Sequence, residues 1–213
     1  MPDLMHEQQF KGPVIGIDEA GRGPWAGPVT VSAIYLATCD AAGLPDGIDD
    51  SKKLKSERRA QLAELLCKPP FFHHTVSIDV STIDQIGVLQ ATFCGMMQAA
   101  AGLMKTLVGV GLPTPVHALI DGNLLPPEMP LPATALVKGD NRSLSIAAAS
   151  ILAKVSRDNV MVELHKVYPH YSWDRNMGYG TKAHVAGLEK HGVSPYHRHS
   201  FKPIIRYLDV AAL

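Results

Sequence analysis

The chain has 213 residues, 46% hydrophobic and 19% charged, with 20 basic against 20 acidic side chains, which is the make-up of a globular chain of one large or two small domains and not of a disordered one. No charged n-region precedes an apolar stretch at the N-terminus and no uncharged apolar run is long enough to span a bilayer, so a soluble, unexported, cytoplasmic protein with no membrane partner is expected. Three cysteines, Cys39, Cys67 and Cys94, are odd in number, widely spaced and lack a Cys-x-x-Cys pair, which speaks against a disulfide framework and a zinc site.

Val14–Ile17 is a short apolar strand candidate that runs into Asp18 and Glu19. The turn G-R-G-P-W-A-G-P follows, and Pro24 and Pro28 disfavour a helix there. Val29–Leu36 is rich in β-branched residues, so the start of the chain reads as a hairpin with a wide loop. Residues 40–50 are a loop around A-A-G-L-P-D-G. Ser56 is placed to cap a helix through about Cys67, stopped by Pro69 and Pro70. His74–Val80 is a third strand candidate. Thr82 and Gln85 have capping-box spacing, and from Ile83 to Leu107 apolar residues recur at helical intervals. Val116–Ile120 is a fourth strand ending at Asp121-Gly122, and Ala133–Val137 a fifth, ending at Lys138-Gly139-Asp140. A long alanine-rich helix runs from Ser143 to just before Pro169, and a shorter one fits Lys182–His191. There is no internal repeat. The order predicts an α/β fold, a mixed sheet covered by helices, as one domain with a helical C-terminal extension.

Three of these strands end in acid: at Asp18-Glu19, at Asp121 and near Asp140. Sites in open α/β sheets gather at strand ends, so if the strands are neighbours the four carboxylates converge. Converging carboxylates raise one another's pKa unless a cation sits among them, and all-oxygen ligands suit a hard divalent ion such as Mg²⁺ or Mn²⁺. Two such ions about 4 Å apart form a clamp for in-line attack on a phosphodiester. Simple turn chemistry competes at Asp121, since Asp-Gly after a strand is a common turn. Alternate strand residues point to opposite faces, so Asp18 and Glu19 share an ion only if the chain turns there, as Gly21 and Gly23 would allow.

Other motifs are missing: no G-x-G-x-x-G with a following helix, no P-loop, no G-x-S-x-G elbow and no H-E-x-x-H. His73-His74 and the group His191, His197 and His199 read better as surface or hydrogen-bonded histidines than as metal ligands. Residues 1–140 hold 10 basic and 15 acidic side chains, whereas residues 141–213 hold 10 and 5 with six of the ten histidines. An acidic centre beside an anion-facing surface gives that pattern, and so does chance over a short segment.

Seven blocks in order carry a resemblance: G-I-D-E-A-G-R-G-P-W-A-G-P-V (16–29), D-S-K-K-L (50–54), L-I-D-G-N (119–123), V-K-G-D (137–140), S-I-A-A-A-S-I-L-A-K-V-S-R-D (145–158), G-Y-G-T (178–181) and H-R-H-S-F (197–201). From Val14 to Phe201 the chain resembles the bacterial ribonuclease HII family, the type 2 ribonucleases H. The resemblance implies a ribonuclease H-like five-stranded mixed sheet in a single domain over 1–213, with residues from about 165 to 213 forming a helical region that contacts nucleic acid. It implies that Asp18, Glu19, Asp121 and Asp140 are catalytic carboxylates holding two Mg²⁺ or Mn²⁺ ions. It implies that Gly21-Arg22-Gly23 reads the ribose 2′-OH at an RNA–DNA junction and that Tyr179 packs on the next sugar. Lys52 would contact phosphate, Lys154 and Arg157 would lie near the nucleic-acid backbone, and Asn123 would join the substrate-binding residues.

The implied activity is hydrolysis of the RNA strand of RNA–DNA hybrids and cutting 5′ of single ribonucleotides in duplex DNA. It would leave 3′-OH and 5′-phosphate ends and would serve ribonucleotide and RNA-primer removal. The 2′-OH, donor and acceptor at once, is the group that separates RNA from DNA, and a glycine turn lets backbone groups approach it. A monomer is expected, and the tail K-P-I-I-R-Y-L-D-V-A-A-L shows no clear sliding-clamp peptide. Seventeen residues before Asp18, and the G-R-G turn, separate the chain from type 3 enzymes. Gly180 stands where relatives often have proline and is expected to loosen the loop of Tyr179. The proline-rich stretch 124–132 carries no readable function. The competing readings are a non-catalytic nucleic-acid-binding module on the same fold and a junction resolvase.

Overall fold

A computed structural model describes residues 1–37 and 41–208. Cys39, the start of the 40–50 loop and the last residues of the tail, 209–213, lie outside the described residues. The first two strands form the expected antiparallel hairpin, β1 (Val14–Ala20) with β2 (Val29–Tyr35). Strand β1 does not stop at Ile17. Ladder pairing carries it through both acids, with Asp18 opposite Ser32 and Glu19 opposite Val31. Strand β3 (Phe72–Ile78) adds antiparallel to β2, while β4 (His117–Asp121) lies parallel to β1 and β5 (Ala133–Leu136) parallel to β4. The order across the five-stranded mixed sheet is β3-β2-β1-β4-β5.

Helix α1 spans Ser56–Leu66, with Lys55 at the capping position and no side-chain cap, so Ser56 opens the helix but does not cap it. β3 ends two residues earlier than its apolar run because Asp79 leaves the strand to cap α2 (Val80–Gly109), its carboxylate accepting the Thr82 N–H at 2.8 Å. That earlier start leaves no capping box at Thr82 and Gln85. Gly87, at φ 80°, breaks the helical backbone near the start of α2. Helix α3 (Leu144–Val167) begins where expected, at Ser143, which caps it by accepting the Ile146 N–H. Glu7 reinforces that end, accepting the Ser145 N–H at 2.9 Å and the Ser143 hydroxyl at 2.6 Å, a negative charge on a helix N-terminus.

The alternation of β1 and β2 sets two buried layers. Ile15, Ile17, Val29 and Val31 pack with Ile83, Met96, Leu103 and Leu107 of α2. Ile34 and Leu36 on the other face pack with α1 and with Ala147, Ala148 and Ile151 of α3, and Val14 and Leu119 with Ile146. By length and apolarity alone α2 could cross a membrane, which the sequence reading did not anticipate; here it covers one face of the sheet. A further apolar cluster joins the end of α3 to the loop after β1 and to the C-terminal helices α4 (Trp173–Asn176), α5 (Lys182–His191) and α6 (Lys202–Leu208), around Ala26, Met161, Tyr171, Trp173, Leu188 and Ile204.

The first turn of α3 rests directly on β1 at Gly16, where an added Cβ would lie 2.1 Å from the Ser145 carbonyl carbon. Backbone on both sides leaves nothing flexible to yield. Gly16→Ala is therefore expected to destabilise the protein by about 3 kcal/mol, the upper end of ordinary overpacking. Urea unfolding checks this, and a loss under about 1 kcal/mol would show that α3 can back away.

Candidate active site

Parallel pairing of β1, β4 and β5 turns their C-terminal ends to one edge of the sheet. Asp18 comes from β1, Asp121 is the last residue of β4, and Asp140 sits in the 3-10 turn Gly139–Asn141 that leads from β5 to α3. Alternation places Asp18 and Asp121 on the α3 side, in step with Val14 and Leu119. Glu19 starts from the α2 side and comes to the same edge at the strand's end. A cleft of about 480 Å³ opens there, lined by Asp18, Glu19, the Gly21-Arg22-Gly23 turn, Lys52, Lys154 and Tyr179 among others. Asp121 and Asp140 flank it and act electrostatically on Asp18.

Each carboxylate has a local tether. Asp18 Oδ1 accepts the Glu19 N–H at 2.6 Å, and Asp121 Oδ1 accepts the Gly139 N–H at 2.7 Å, tying the end of β4 to the turn before α3. Asp140 Oδ1 accepts from Asn141 Nδ2 at 2.8 Å. Glu19 Oε1 pairs with the Arg22 guanidinium at 3.3 Å, while its Oε2 is buried with no hydrogen-bond partner. So placed, no three His, Cys, Asp or Glu side chains among the described residues stand close enough to enclose an ion.

Burial, and then the charges of Glu19, Asp121 and Asp140, push the Asp18 carboxyl well above the usual carboxylate range. Burial also raises Glu19 against the pull of Arg22, and it raises Asp140 with help from Asp121 and Asp50. Burial alone would lower the Lys52 ammonium, but Asp18, Asp50, Asp140 and Asp121 outweigh it and raise its pKa. The group is thus a partly desolvated set of oxygen donors, one of them orphaned, with a lysine as its internal counter-charge. That donor chemistry fits a hard divalent ion.

The remaining candidate residues divide. Lys154 lines the cleft and pairs with Asp158 at 2.6 Å. Tyr179 stands on the rim, 52% exposed, and a Cβ on Gly23 would lie 3.5 Å from its ring. Asn123 is exposed past the end of β4 and does not line the cleft. Arg157 also lines the cleft, but it is buried there: its guanidinium donates to the carbonyls of Pro28, Met177 and Ala26 at 3.0, 3.0 and 3.1 Å and so braces the loop after β1. Helical spacing could not tell this inward arginine from an outward one. Two residues escaped the sequence reading. Arg59 donates to the carbonyls of Ser51 and Leu54, holding the D-S-K turn, and Arg198 braces the G-R-G turn from behind.

Two buried histidines hold the loop of Tyr179. The Ser194 N–H donates to His197 Nδ1 at 2.9 Å, so in the neutral ring the proton sits on Nε2. His197 Nε2 then donates to His184 Nε2 at 2.9 Å, and His184 Nδ1 donates to the Tyr179 carbonyl at 3.0 Å; the tautomers are assigned from these partners. Burial, followed by His184, drives the His197 pKa down to about 3, and burial lowers that of His184, which keeps both rings neutral. Gly180 also departs from expectation. A Cβ there would lie 2.0 Å from the Trp25 ring, so this glycine lets the loop press flat on the indole.

Comparison with known proteins matches the chain along nearly its whole length. The family model described as Ribonuclease HII matches residues 15–204. A ribonuclease HII from Jannaschia sp. (strain CCS1) is 49% identical over 210 residues, covering 97% of this chain and 98% of that protein. The crystal structure of ribonuclease H2 from Pyrococcus horikoshii OT3 is similar with a TM-score of 0.75 at 22% identity, covering 93% of this chain and 98% of that one. The structure of Bst-RNase HIII in complex with Mn²⁺ gives 0.76 at 20% identity, covering 99% and 74%. At such identities the structural likenesses speak to the fold.

Buried carboxyls with raised pKa values bind more protons in the folded chain than in the unfolded one, where they ionise near pH 4. Stability of the ion-free protein should therefore fall as pH rises above about 4 and through the raised values. Mn²⁺ should raise the melting temperature, and by more at pH 8 than at pH 5.5. Asp18→Asn should raise the ion-free melting temperature at pH 8 by a few degrees, the scale on which about 1 kcal/mol moves a chain of this size, and should abolish most of the Mn²⁺ effect. Thermal denaturation with and without the ion checks all three.

Proposed function

Since the chain belongs to the ribonuclease HII family, and is by that membership a type 2 ribonuclease H acting on RNA–DNA hybrids, we propose that it also cuts 5′ of a single ribonucleotide embedded in duplex DNA. The observation that carries this reading is the cleft itself, which places Asp18 and Glu19 beside Gly21-Arg22-Gly23 and Tyr179. Acids suited to hold metal and a turn suited to touch a sugar hydroxyl thus share one wall-to-wall space.

Asp18, Glu19, Asp121 and Asp140 would hold divalent ions, Mg²⁺ or Mn²⁺. Two ions there would supply Lewis-acid activation of the attacking water and charge stabilisation at the leaving 3′-oxygen, giving 3′-OH and 5′-phosphate ends. Because the carboxylates are now tethered apart, binding calls for their rotation, and the orphaned Glu19 Oε2 has no bond to give up. Arg22 would exchange its contact with Glu19 for phosphate, for which its permanent charge and planar fork are suited. Lys52 and Lys154 would take neighbouring phosphates. The Gly21–Gly23 backbone would meet the 2′-OH, and Tyr179, held by His184, would lie against the next sugar. Ribonucleotide and RNA-primer removal by a monomer in the cytoplasm follows as the setting of this activity.

A duplex with one embedded ribonucleotide, incubated with protein and Mn²⁺ or Mg²⁺, should be cut once, on the 5′ side of that residue. Chelation should stop the cutting, and Asp18→Asn should slow it by at least about 100-fold, as expected when a group central to transition-state charge stabilisation is lost. Binding without cutting would instead favour a non-catalytic module.

A further inference from the structure

Arg198 is buried to the last atom, yet its guanidinium forms no ion pair among the described residues. All its bonds go to carbonyl oxygens of one loop. Nη1 donates to Arg22 O at 2.9 Å and Nη2 to Gly21 O at 2.6 Å. Nε and Nη2 donate to Gly27 O at 3.0 and 2.8 Å, and Nη2 also to Pro28 O at 3.1 Å. A buried charge held by neutral carbonyls and the face of the Phe201 ring, 5.1 Å away, is costly, so burial and the nearby Arg157 lower its pKa to about 9, leaving it charged at neutral pH.

The geometry of the peptide unit gives that cost a consequence. Every peptide in this loop is trans, and a trans peptide points its C=O and its N–H in opposite directions. The Gly21 carbonyl shares its peptide with the Arg22 N–H, and the Arg22 carbonyl with the Gly23 N–H. Capture of both carbonyls from the interior therefore turns both N–H groups outward, where Arg22 and Gly23 are exposed and line the cleft. Neither N–H donates to a protein acceptor among the described residues. Two successive outward N–H groups form a concave donor pair for one oxygen. Gly21 has φ +98°, and a Cβ on it would strike Arg157 Nε at 2.0 Å and the Pro28 carbonyl at 2.7 Å, so the turn cannot be occupied by a side chain that would disturb this aim.

We infer that Arg198 is a positioning residue for sugar recognition: by fastening the carbonyls of Gly21 and Arg22 it holds the Arg22 and Gly23 amides toward the ribose 2′-oxygen. Arg198 touches no substrate itself. It is held in place by Asp84 of α2, whose carboxylate accepts the N–H groups of His199 and Ser200, both at 2.9 Å, and the Ser200 hydroxyl at 2.6 Å. The inference rests on the proposed sugar-reading role of the turn.

Arg198→Lys tests it, because lysine keeps the charge and loses the fork. Two constants are read on folded protein: kcat/KM for the duplex with one embedded ribonucleotide, and the inhibition constant of the same duplex in all-deoxy form, which reports backbone binding without a 2′-OH. The expected result is a roughly tenfold or greater fall in kcat/KM, the weight of one or two misaligned hydrogen bonds, with the inhibition constant unchanged within about twofold. An unchanged kcat/KM, or a parallel weakening of both, overturns the inference. Should the lysine variant not fold, Asp84→Asn, which loosens the segment bearing Arg198, is read by the same two constants and the same outcomes. A wild-type protein that fails to cut the ribonucleotide duplex would overturn the functional reading, whereas a cutting wild type whose variants keep their selectivity overturns only the role of Arg198.

Discussion

The parallel pairing of β1 with β4 brings two strand ends, and with them Asp18 and Asp121, to one edge of the sheet. Antiparallel pairing at that position would have sent the acids to opposite ends. The crossover that parallel pairing demands is supplied by everything between β2 and β4, including α2, whose apolar face covers the sheet on the way. The close seat of α3 on Gly16 fixes the other face, and the turn carrying Asp140 is the lead-in to that helix. The gathering of the carboxylates is thus a by-product of sheet order, and their burial, with mutual repulsion behind it, is a standing load on the ion-free fold.

Positive charge stands at two depths, and only the nearer one answers that load. Lys52 and Arg22 sit within the cleft and face the acids. Arg157 and Arg198 lie behind the loop and spend every bond on carbonyl oxygens. This alters the meaning of the basic C-terminal part. Two of its ten basic residues are interior struts, so only part of the excess over residues 141–213 can face an anion. A charge tally sees the sign of a segment and not the direction in which its side chains point.

The same distinction separates what the sequence made legible from what it did not. Composition and pattern located α3 and α5, and the structure adds that Ser143 and Thr181 accept helix N–H groups at their starts. The end of β1 was misjudged, since ladder bonds to β2 do not depend on side-chain polarity and so run on through two acids. The start of α2 was misjudged because Asp79, a stronger and earlier cap, pre-empted Thr82. The four acids were legible by their position after apolar runs, and the glycine turn by its motif. The role of Arg198 and the joining of His197 to His184 were not, because their partners are backbone carbonyls and ring nitrogens brought near only by tertiary packing. His197 and His184 contact each other across 13 residues, and Arg198 reaches back across 177.

His197 and Arg198 are neighbours in the chain, and their adjacency links the glycine turn to the loop of Tyr179. His197 forms an antiparallel bridge to Ala26, flanked by bonds from Gly27 N to Tyr196 O at 2.9 Å and from Arg198 N to Trp25 O at 2.8 Å. In such an extended pair, successive side chains leave on opposite sides. His197 therefore points toward His184 and through it to the Tyr179 carbonyl, while Arg198 points toward Gly21 and Arg22. The Trp25 N–H in turn donates to Gly178 O at 2.8 Å, closing the contact between the two loops directly. A single two-residue extended segment thus sets both the glycine turn and the tyrosine loop. A shift of that segment would displace the two together, so the spacing between the glycine turn and the loop of Tyr179 is set through one short stretch of backbone.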